Sequence, residues 1–347
     1  MNRIVLSTLT LAAATPFTLL GADSLDNPNR FSLGPRFGMN FKADFHNNPT
    51  PNPFNPAINP GPATGGADHT YDDGYVLRDS SGNTGSLTWN WGYKNASQAP
   101  PFSVGDTMQF HASQPNTAFG PSNNKVTGDP QYGAELIYQR VIGPLPFPSS
   151  CRWGVEAAFG YTDLDLHAKR SGAGPSTLTT DTFPLNGVVP PGFGYSGTFA
   201  GPGALLGDTP LRTVASDVLT SHQKLSGQVY GIRLGPFAEW NFTHQFSLAA
   251  SVGLSLAPAS VDYDFSETTR LAVGGTSVAS GHSSKTELLY GPYVSAMLRY
   301  DFTERWGVYV GAQFQSLTDL KQSTGGRTAR LDQDATVYGT VGVSWRF

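Results

Sequence analysis

Few side chains in this sequence have the types and spacing that chemistry requires. His282 precedes Ser284 by two residues, and a histidine near a serine is the pair that a hydrolase uses as base and nucleophile. Such a base must itself be oriented by a third polar group, and the surrounding sequence specifies none. We therefore predict no catalytic residues and a non-enzymatic protein.

Cofactor and metal motifs are equally incomplete. Gly192, Gly194 and Gly197 have the spacing of a dinucleotide-binding turn, but that turn must open a helix, and prolines on both sides prevent one. The seven histidines are scattered, and Cys151 is the only cysteine, so no metal-ligand spacing is present. Asp79 opens an acidic turn without the closing glutamate of a calcium loop. We expect no cofactor and no metal.

The elements that must position any functional residue are β-strands. In 31–45 every odd-numbered residue is apolar, including Phe37, Phe41 and Phe45, and an alternation with a period of two is typical of a strand. On that pattern Lys42 and Asp44 share the opposite face with Arg36. The same alternation recurs in segments 130–142, 152–166, 223–242, 245–257, 286–302, 305–317 and 334–347. At Pro258 the phase of the pattern changes, and we interpret the change as a bulge.

The lengths of these segments and of their connections define the fold class. The segments exceed the usual strand of about five or six residues and suit a membrane crossing of roughly 9–11 residues. Tight turns at 241–244 and 302–305 alternate with long connections at 46–129, 168–222, 266–285 and 318–333. Short turns at one end and long loops at the other are typical of outer-membrane barrels.

We therefore predict an all-β fold, an up-and-down antiparallel transmembrane β-barrel of eight strands, with long extracellular loops and short periplasmic turns. Ten to twelve strands are the alternative, because 71–78, 87–93 and 102–110 also look like strands. A soluble β-sandwich also alternates, but its strands are shorter and lack the aromatic residues that end these apolar faces.

Composition and the first residues support the same localisation. Charged residues make up 14 % of the chain, against about 25 % in an average soluble protein. The net charge of −4 has no basic cluster, which argues against a nucleic-acid partner. Residues 1–22 combine Arg3, an apolar core and small residues, so we expect a cleaved signal peptide followed by one barrel domain at 23–347, with large loop insertions at 46–129 and 168–222.

The last residues carry a family resemblance. Val343, Trp345 and Phe347 share one face of the final segment, and a terminal phenylalanine after alternating apolar residues resembles the signal read by the outer-membrane barrel-assembly machinery. The architecture resembles the OmpA transmembrane-domain and OmpX-like class. The resemblance implies periplasmic chaperones and that machinery as partners during biogenesis, and outer-membrane lipid and lipopolysaccharide afterwards. It specifies no ligand and no oligomeric state.

Charged residues on the faces opposite the apolar ones form the candidate site. They are Arg36, Glu156, Arg233, Glu239 and Arg299. An eight-stranded barrel has room only for side chains, and buried charges must be paired, so we expect a network that plugs the lumen, with Glu156 reaching an arginine on a neighbouring strand.

The predicted function is a non-enzymatic barrel with a plugged or nearly closed lumen, whose surface loops serve envelope structure, adhesion or binding. A narrow porin for small solutes or ions is the first alternative. An outer-membrane enzyme that modifies lipids is the second.

Overall fold

The computed structural model describes residues 28–47, 58–95, 98, 106–117, 119–120, 122–128, 130–146, 151–191, 194–197, 201 and 203–347. The predicted signal peptide at 1–22 and Gly192 lie outside them. No helix in this part of the chain is long and apolar enough to cross a membrane. The strands are β1 (Asn29–Met39), β2 (Lys42–Asn47), β3 (His69–Tyr71), β4 (Gly74–Val76), β5 (Leu87–Thr88), β6 (Trp91–Tyr93), β7 (Thr107–Pro115), β8 (Ser122–Thr127), β9 (Gln131–Pro144), β10 (Cys151–Pro184), β11 (Leu206–Gly207), β12 (Leu211–Asn241), β13 (Phe246–Arg270), β14 (Thr276–Asp301), β15 (Trp306–Gln315), β16 (Leu320–Thr324), β17 (Arg327–Asp332) and β18 (Thr336–Arg346).

A closed antiparallel ring forms the body of the molecule. Its strands follow the order β1, β9, β10, β12, β13, β14, β15 and β18, and β18 pairs with β1 to close it. A ninth strand of the same sheet, β7, pairs with the far part of β10, so the sheet is larger than the eight strands that we predicted. Segments 71–78 and 87–93 contribute to a separate sheet, in which β4 pairs with β3 on one side and with β6 on the other.

Both described ends of the chain and the tight turns lie at one end of the ring, which we call the turn end. The Asn29 N–H donates to the Phe347 carbonyl at 3.3 Å, and the Phe347 N–H donates back at 3.0 Å. In the turn between β12 and β13, the Phe242 N–H donates to the Phe246 carbonyl at 3.0 Å, and the turn between β14 and β15 has the same pattern. The long insertions therefore belong to the opposite, loop end.

An apolar belt surrounds the half of the ring next to the turn end. Its outward aliphatic side chains are exposed, for example Leu234 at 64 % and Val252 at 56 %. Aromatic residues line its two margins: Trp153, Trp240, Phe246, Trp306 and Trp345 near the turns, and Tyr132, Tyr161, Tyr230 and Tyr290 on the other side. An exposed apolar band between aromatic girdles is the lipid-contacting surface of a transmembrane barrel. The chain is an antiparallel β-barrel of the bacterial outer membrane.

Beyond the belt, the outward face becomes polar on the four longest strands, and the inward face becomes largely apolar on β10, β12 and β13. The odd-numbered residues of β13 point inward throughout, but they change from serines such as Ser251 to apolar residues such as Tyr263. Its outward residues change from Leu254 to Asp264. The predicted bulge at Pro258 is wrong, because β13 stays in register with β14 along its whole length. The strand leaves lipid and enters water, where apolar side chains are stabilised inside and polar ones outside.

The other four strands reach the same arrangement through a break. After Met39, Asn40 adopts a φ of 64°, which asparagine tolerates better than most residues, and β2 starts at Lys42. The step moves Phe41 and Phe45 into the interior and turns Lys42 outward, so the predicted facing of 31–45 is wrong beyond Met39. Asp44, which the pattern placed in the lumen, is turned outward by the same step. Strand β8 continues β9 beyond a break, β16 continues β15, and β17 continues β18. These three strands form a four-stranded sheet with β2.

The loop-end half of the barrel is filled by an apolar core. The largest members of this cluster include Phe41, Phe45, Leu225, Tyr263, Phe265 and Leu289. Phe45 and Tyr263 stack at 6.0 Å between ring centroids, although they come from opposite parts of the ring. Side chains therefore occupy the interior at this level.

Candidate binding surface

The lumen layer nearest the turn end is centred on Glu239. Its carboxylate accepts hydrogen bonds from Arg30 at 2.9 Å, Arg299 at 3.0 Å and Arg152 at 3.0 Å. Arg30 also reaches Asp301 at 3.2 Å. Three guanidinium groups around one buried carboxylate make a strongly charge-assisted cluster. Sequence reasoning missed Arg30, because it precedes the segment in which the alternation is visible.

Glu156 lies in the next layer and does not pair with an arginine, so that expectation is wrong. It accepts hydrogen bonds from Gln139 at 2.7 Å and from Ser251 at 2.9 Å. Its neighbour on β12 is Gly235, while Arg233 and Glu239 lie at other levels of the register. The link to a cation is indirect, because Arg299 donates to the Gln139 side-chain oxygen.

The third layer places two arginines around Glu135. Arg233 donates to this carboxylate, and Arg36 lies 4.0 Å from it. The Arg36 guanidinium also stacks over the Tyr338 ring at 3.4 Å, a cation–π contact. A Cβ at Gly160 would lie 2.1 Å from an Arg36 nitrogen, so glycine leaves the room that this guanidinium occupies.

All five predicted lumen residues are thus buried inside the ring, at no more than 3 % exposure. Charges of both signs alternate along the axis, instead of forming the single-sign ring that selects an ion. Near Arg152 and Glu239 a void of about 10 Å³ remains, which is room for one water molecule.

The three residues of the C-terminal signal lie on the outside of β18, at the turn end. Val343 is 48 % exposed, Trp345 38 % and Phe347 38 %. The Phe347 ring stacks on Trp345 at 4.7 Å and on Phe31 at 5.4 Å. They belong to the belt and its aromatic margin.

A polar collar covers the outer wall directly beyond the belt. Strand register aligns His167, Lys224, Asp264 and His282 in one row across β10, β12, β13 and β14. The Asp264 carboxylate accepts a hydrogen bond from the His282 ring at 2.7 Å, and this bond raises the pKa of His282. Asp264 is therefore an orienting group that the sequence did not specify, but no hydrogen bond joins His282 to Ser284 among the described residues, and the pair stands on an exposed wall.

The remaining acidic candidates have partners within the protein. Asp79 accepts hydrogen bonds from the hydroxyl groups of Ser81 at 2.5 Å and Thr84 at 2.6 Å, and these bonds hold the pKa of Asp79 well below its usual range. Asp319, Asp332 and Asp334 bring oxygens within 4.8 Å of one another, but Arg330 donates to Asp319. These carboxylates therefore stabilise turns and form ion pairs within the protein.

The described parts of the two predicted loop insertions are largely folded. β10 continues to Pro184 and β12 starts at Leu211, so most of 168–222 is a hairpin that projects past the barrel. The described residues of 58–115 pack against it as strands β3 to β7. Short pairings tie the two insertions together, β5 with β11 and Gly92 with Ser196. We call this assembly, residues 58–115 and 176–212, the cap.

The cap has its own apolar core. Its members are Tyr71, Val76, Trp91, Tyr93, Met108, Phe110, Ala112, Phe183, Leu185 and Leu206. Tyr71 and Phe110 stack at 5.1 Å, and Phe183 meets Phe110 edge-on at 5.7 Å. Burial of several aromatic rings gives a small unit much of its stability. The cap is therefore a folded head.

Two sets of polar contacts hold the cap together: one joins segment 58–115 to the hairpin, and the other lies within 58–115. Arg212 forms a bidentate pair with the fully buried Asp181 at 2.7 and 2.6 Å, and Tyr71 donates to the same carboxylate at 2.7 Å. At the turn between β3 and β4, Asp73 binds the His111 ring at 2.7 Å and its backbone N–H at 2.9 Å. The ring hydrogen bond raises the pKa of His111.

The outer face of the cap carries two open clefts on either side of Tyr75. One, of about 400 Å³, is lined by Thr70, Leu77, Asn90 and Gly197 as well as Tyr75. The other, of about 350 Å³, extends along Tyr93, Lys94 and Tyr195. Sequence reasoning placed the working surface on these segments but could not identify the clefts, because 71–93 and 194–197 meet only in the fold.

Comparisons with known proteins carry no argument about this chain. No protein-family model and no curated protein matches the sequence. Ail, the attachment invasion locus protein of Yersinia pestis, aligns over 92 % of this chain and 99 % of its own, with 10 % identity and a TM-score of 0.25. A Pseudomonas aeruginosa FadL homologue aligns over 93 % and 91 %, with 9 % identity and a TM-score of 0.18. At these TM-scores the likenesses carry no argument about ligands, and the place of the chain in the outer membrane rests on its closed ring and apolar belt.

Proposed function

We propose that this protein is a non-enzymatic outer-membrane barrel that holds a binding head, the cap, away from the membrane. The observation that carries the proposal is the folded cap, with its own core and with Tyr71 and Gly61 of segment 58–115 bound to Asp181 and Arg212 of the hairpin. Recognition favours loops that are held rigidly by a scaffold, because ordering them on binding then costs little. Adhesion, or binding of envelope components, suits such a surface.

A closed lumen supports this function over that of a narrow porin. Three polar layers around Glu239, Glu156 and Glu135 fill the membrane half, and the apolar core fills the other half. An eight-membered ring of strands leaves space for side chains and no broad channel. The lumen then acts as a rigid support for the head.

The partners during and after biogenesis belong to the same proposal. The barrel would join the OmpA transmembrane-domain and OmpX-like class, and Val343, Trp345 and Phe347 would present the signal to the assembly machinery. The collar around Lys224 and Asp264 would contact the polar part of the surrounding lipopolysaccharide. Against a lipid-modifying enzyme stands the absence, among the described residues, of a hydrogen bond between Ser284 and His282, whose ring Asp264 orients.

A binding assay with the full-length protein tests the proposal. Wild type in nanodiscs is compared with Phe110→Ala, which removes a ring from the cap core, on immobilised polysaccharides, proteins and lipid vesicles. We expect binding by wild type and its loss in the variant, while the barrel still resists unfolding in cold detergent. Equal binding by both proteins, or none by either, would contradict the proposal, and so would lipid hydrolysis that disappears in Ser284→Ala.

A planar-bilayer measurement on the same preparation tests the closed lumen. We expect conductance far below porin scale, and a wild-type channel of roughly several hundred picosiemens would favour the porin instead, because only wider barrels leave an aqueous channel.

A further inference from the structure

The outer face of the cap sheet presents one row of side chains. Register pairs Thr70 with Tyr75, and Tyr75 with Gly92, and Gly92 bridges to Ser196. Alternate residues of the same strands, such as Tyr71 and Trp91, point into the cap core. The row is therefore the solvent side of a sheet whose other side is fixed by packing.

The Tyr75 ring lies flat across this row. A Cβ on Gly92 would lie 2.9 and 3.0 Å from two ring carbons, so the back of the ring rests on the glycine backbone. The hydroxyl group is held by Ser196 at 2.7 Å and lies 3.4 Å from the Gly197 carbonyl. A half-exposed aromatic ring that is fixed on one face and at its tip offers its other face to a ligand.

The larger cleft beside this ring contains an unused hydrogen-bond donor. Asn90 is 4 % exposed, and its side-chain nitrogen has no partner among the described residues. Buried amide groups are normally paired, so an unpaired one at a cleft indicates an acceptor supplied from outside. Thr70 and the backbone at Gly197 add a hydroxyl group and a carbonyl to the same cleft.

The charge of the residues that line the larger cleft limits the class of ligand that it can bind. Its lining residues, Thr70, Tyr75, Leu77, Asn90 and Gly197, include no acid and no base that is charged at neutral pH. An aromatic face with an amide, a hydroxyl and a carbonyl beside it complements a ring that is apolar on its faces and carries hydroxyl groups on its edge. Sugars have this character. The second cleft, beyond Tyr75, gives room for a neighbouring unit, and its one charged lining residue, Lys94, donates to the Asp72 carbonyl at 2.8 Å.

We propose that the cap binds a neutral oligosaccharide, with one sugar ring stacked on Tyr75 and its hydroxyl groups paired with Asn90. This inference rests on the proposed function and names the ligand class of the same head. Gly92 takes part as the support that keeps the Tyr75 ring flat.

An array of immobilised oligosaccharides with neutral, uronic-acid and sulfated members tests the inference on the full-length protein in nanodiscs. We expect wild type to bind neutral members, and Tyr75→Ala and Asn90→Ala to weaken that binding at least about tenfold. Asn90→Ala removes no recorded side-chain hydrogen bond, so the cap should keep its folded protease resistance. Gly92→Ala should weaken binding with Tyr75 still present, and Asn83→Ala, exposed in a distant turn, is the matched control.

Other outcomes separate this inference from the proposed function. Binding of only acidic members, of no member, or of neutral members equally by Tyr75→Ala would overturn the sugar site. If Phe110→Ala at the same time abolishes binding to a protein or a vesicle, the head function stands and only its ligand class is wrong. If neutral sugars still bind to Phe110→Ala, the site lies outside the cap and both proposals fail.

Discussion

Arg299 on β14 and Glu239 on β12 lie 3.0 Å apart in the lumen, although 60 residues of sequence and the whole of β13 stand between them. The side chains of Arg299 and Glu239 are 0 % and 2 % exposed. The contact spans β13, so it joins two strands that backbone hydrogen bonds do not join directly. Loss of Glu239 leaves the Arg299 charge buried without a carboxylate partner, while loss of Arg299 leaves Glu239 with Arg30 and Arg152.

Glu239→Ala should therefore destabilise the barrel strongly. The substitution removes the carboxylate that Arg30, Arg152 and Arg299 share, and breaking a buried pair typically costs about 3–5 kcal/mol. Glu156→Ala is the matched control, because Glu156 has only uncharged partners and its loss should cost about 1–3 kcal/mol. Urea titration of both variants in liposomes measures the difference, and an equal loss in the two would show that the Glu239 cluster is no stronger than its neighbour.

Leu298→Arg should destabilise the protein by about 2–4 kcal/mol if its position is near the middle of the bilayer. Leu298 is 43 % exposed within the belt, so the arginine would face lipid. Val278 on the same strand is 67 % exposed but lies beyond the belt, and Val278→Arg should be nearly neutral. Urea midpoints compare the two variants. Equal urea midpoints for the two variants would show that the belt does not end at the aromatic margin.

Phe347→Ala should reduce the amount of assembled barrel. The ring stacks on Trp345 and Phe31, and its burial against lipid is worth roughly 1.5–3 kcal/mol in addition to the proposed assembly signal. Outer-membrane fractions of expressing cells give the measurement, with periplasmic degradation as the expected fate. Phe314→Ala removes an exposed belt ring elsewhere and should assemble far better. Normal levels of Phe347→Ala would contradict the role of this residue.

Packing of the β3–β4 turn against β7 within the cap should weaken as pH rises. His111 is hydrogen-bonded to Asp73, which raises its pKa above the ordinary value of 6.5. A raised pKa means that the folded state binds the proton more tightly, so the stabilisation is complete below pH 6.5 and is lost as pH rises through the raised value. Hydrogen exchange of β7 between pH 5.5 and 9, analysed relative to the intrinsic rate, should show this loss, and Asp73→Asn should remove it. A pH dependence that persists in Asp73→Asn would assign it to other groups.

The two ends of the barrel should differ in access from outside the cell. In a Cys151→Ser background, Asn83→Cys in the cap and Gln245→Cys in a tight turn both place a thiol at an exposed position. A membrane-impermeant maleimide should label Asn83→Cys on intact cells, and Gln245→Cys only after the outer membrane is permeabilised. The reverse pattern would invert the topology.

The sequence predicted the membrane half of the barrel well, because alternation there follows one rule on every strand. Residues 245–257 face as expected, and β13 nevertheless continues to Arg270. Beyond Pro258 the inward residues become apolar and the outward ones polar, and a period of two cannot show which face is inside. The inversion was therefore interpreted as a bulge, and the strand extensions as loops.

For the candidate site, the sequence predicted which residues lie in the lumen but not which partners they have. Placing Arg36, Glu156, Arg233, Glu239 and Arg299 in the lumen needed only the parity of each strand. Their partners depend on the relative register of strands that are far apart in sequence, so Glu156 was matched with an arginine that lies at another level. Tyr75, Gly92 and Ser196 carry no sequence signal, because their row forms from three separate segments.

The pairing of β10 with β12 runs from Cys151 with Trp240 at the turn end to Thr182 with Leu211 in the cap, with one irregularity between Ala173 and Thr177, and it has a mechanical consequence. The hydrogen bonds of an antiparallel pair run perpendicular to the strands. A pull on the cap along these strands moves β10 and β12 together, so it loads their bonds to β9 and β13 in parallel as shear, while a sideways force would separate those bonds one at a time. Drag from flowing liquid on a tethered cap would therefore be transmitted to the barrel in the bilayer before it separated the strands.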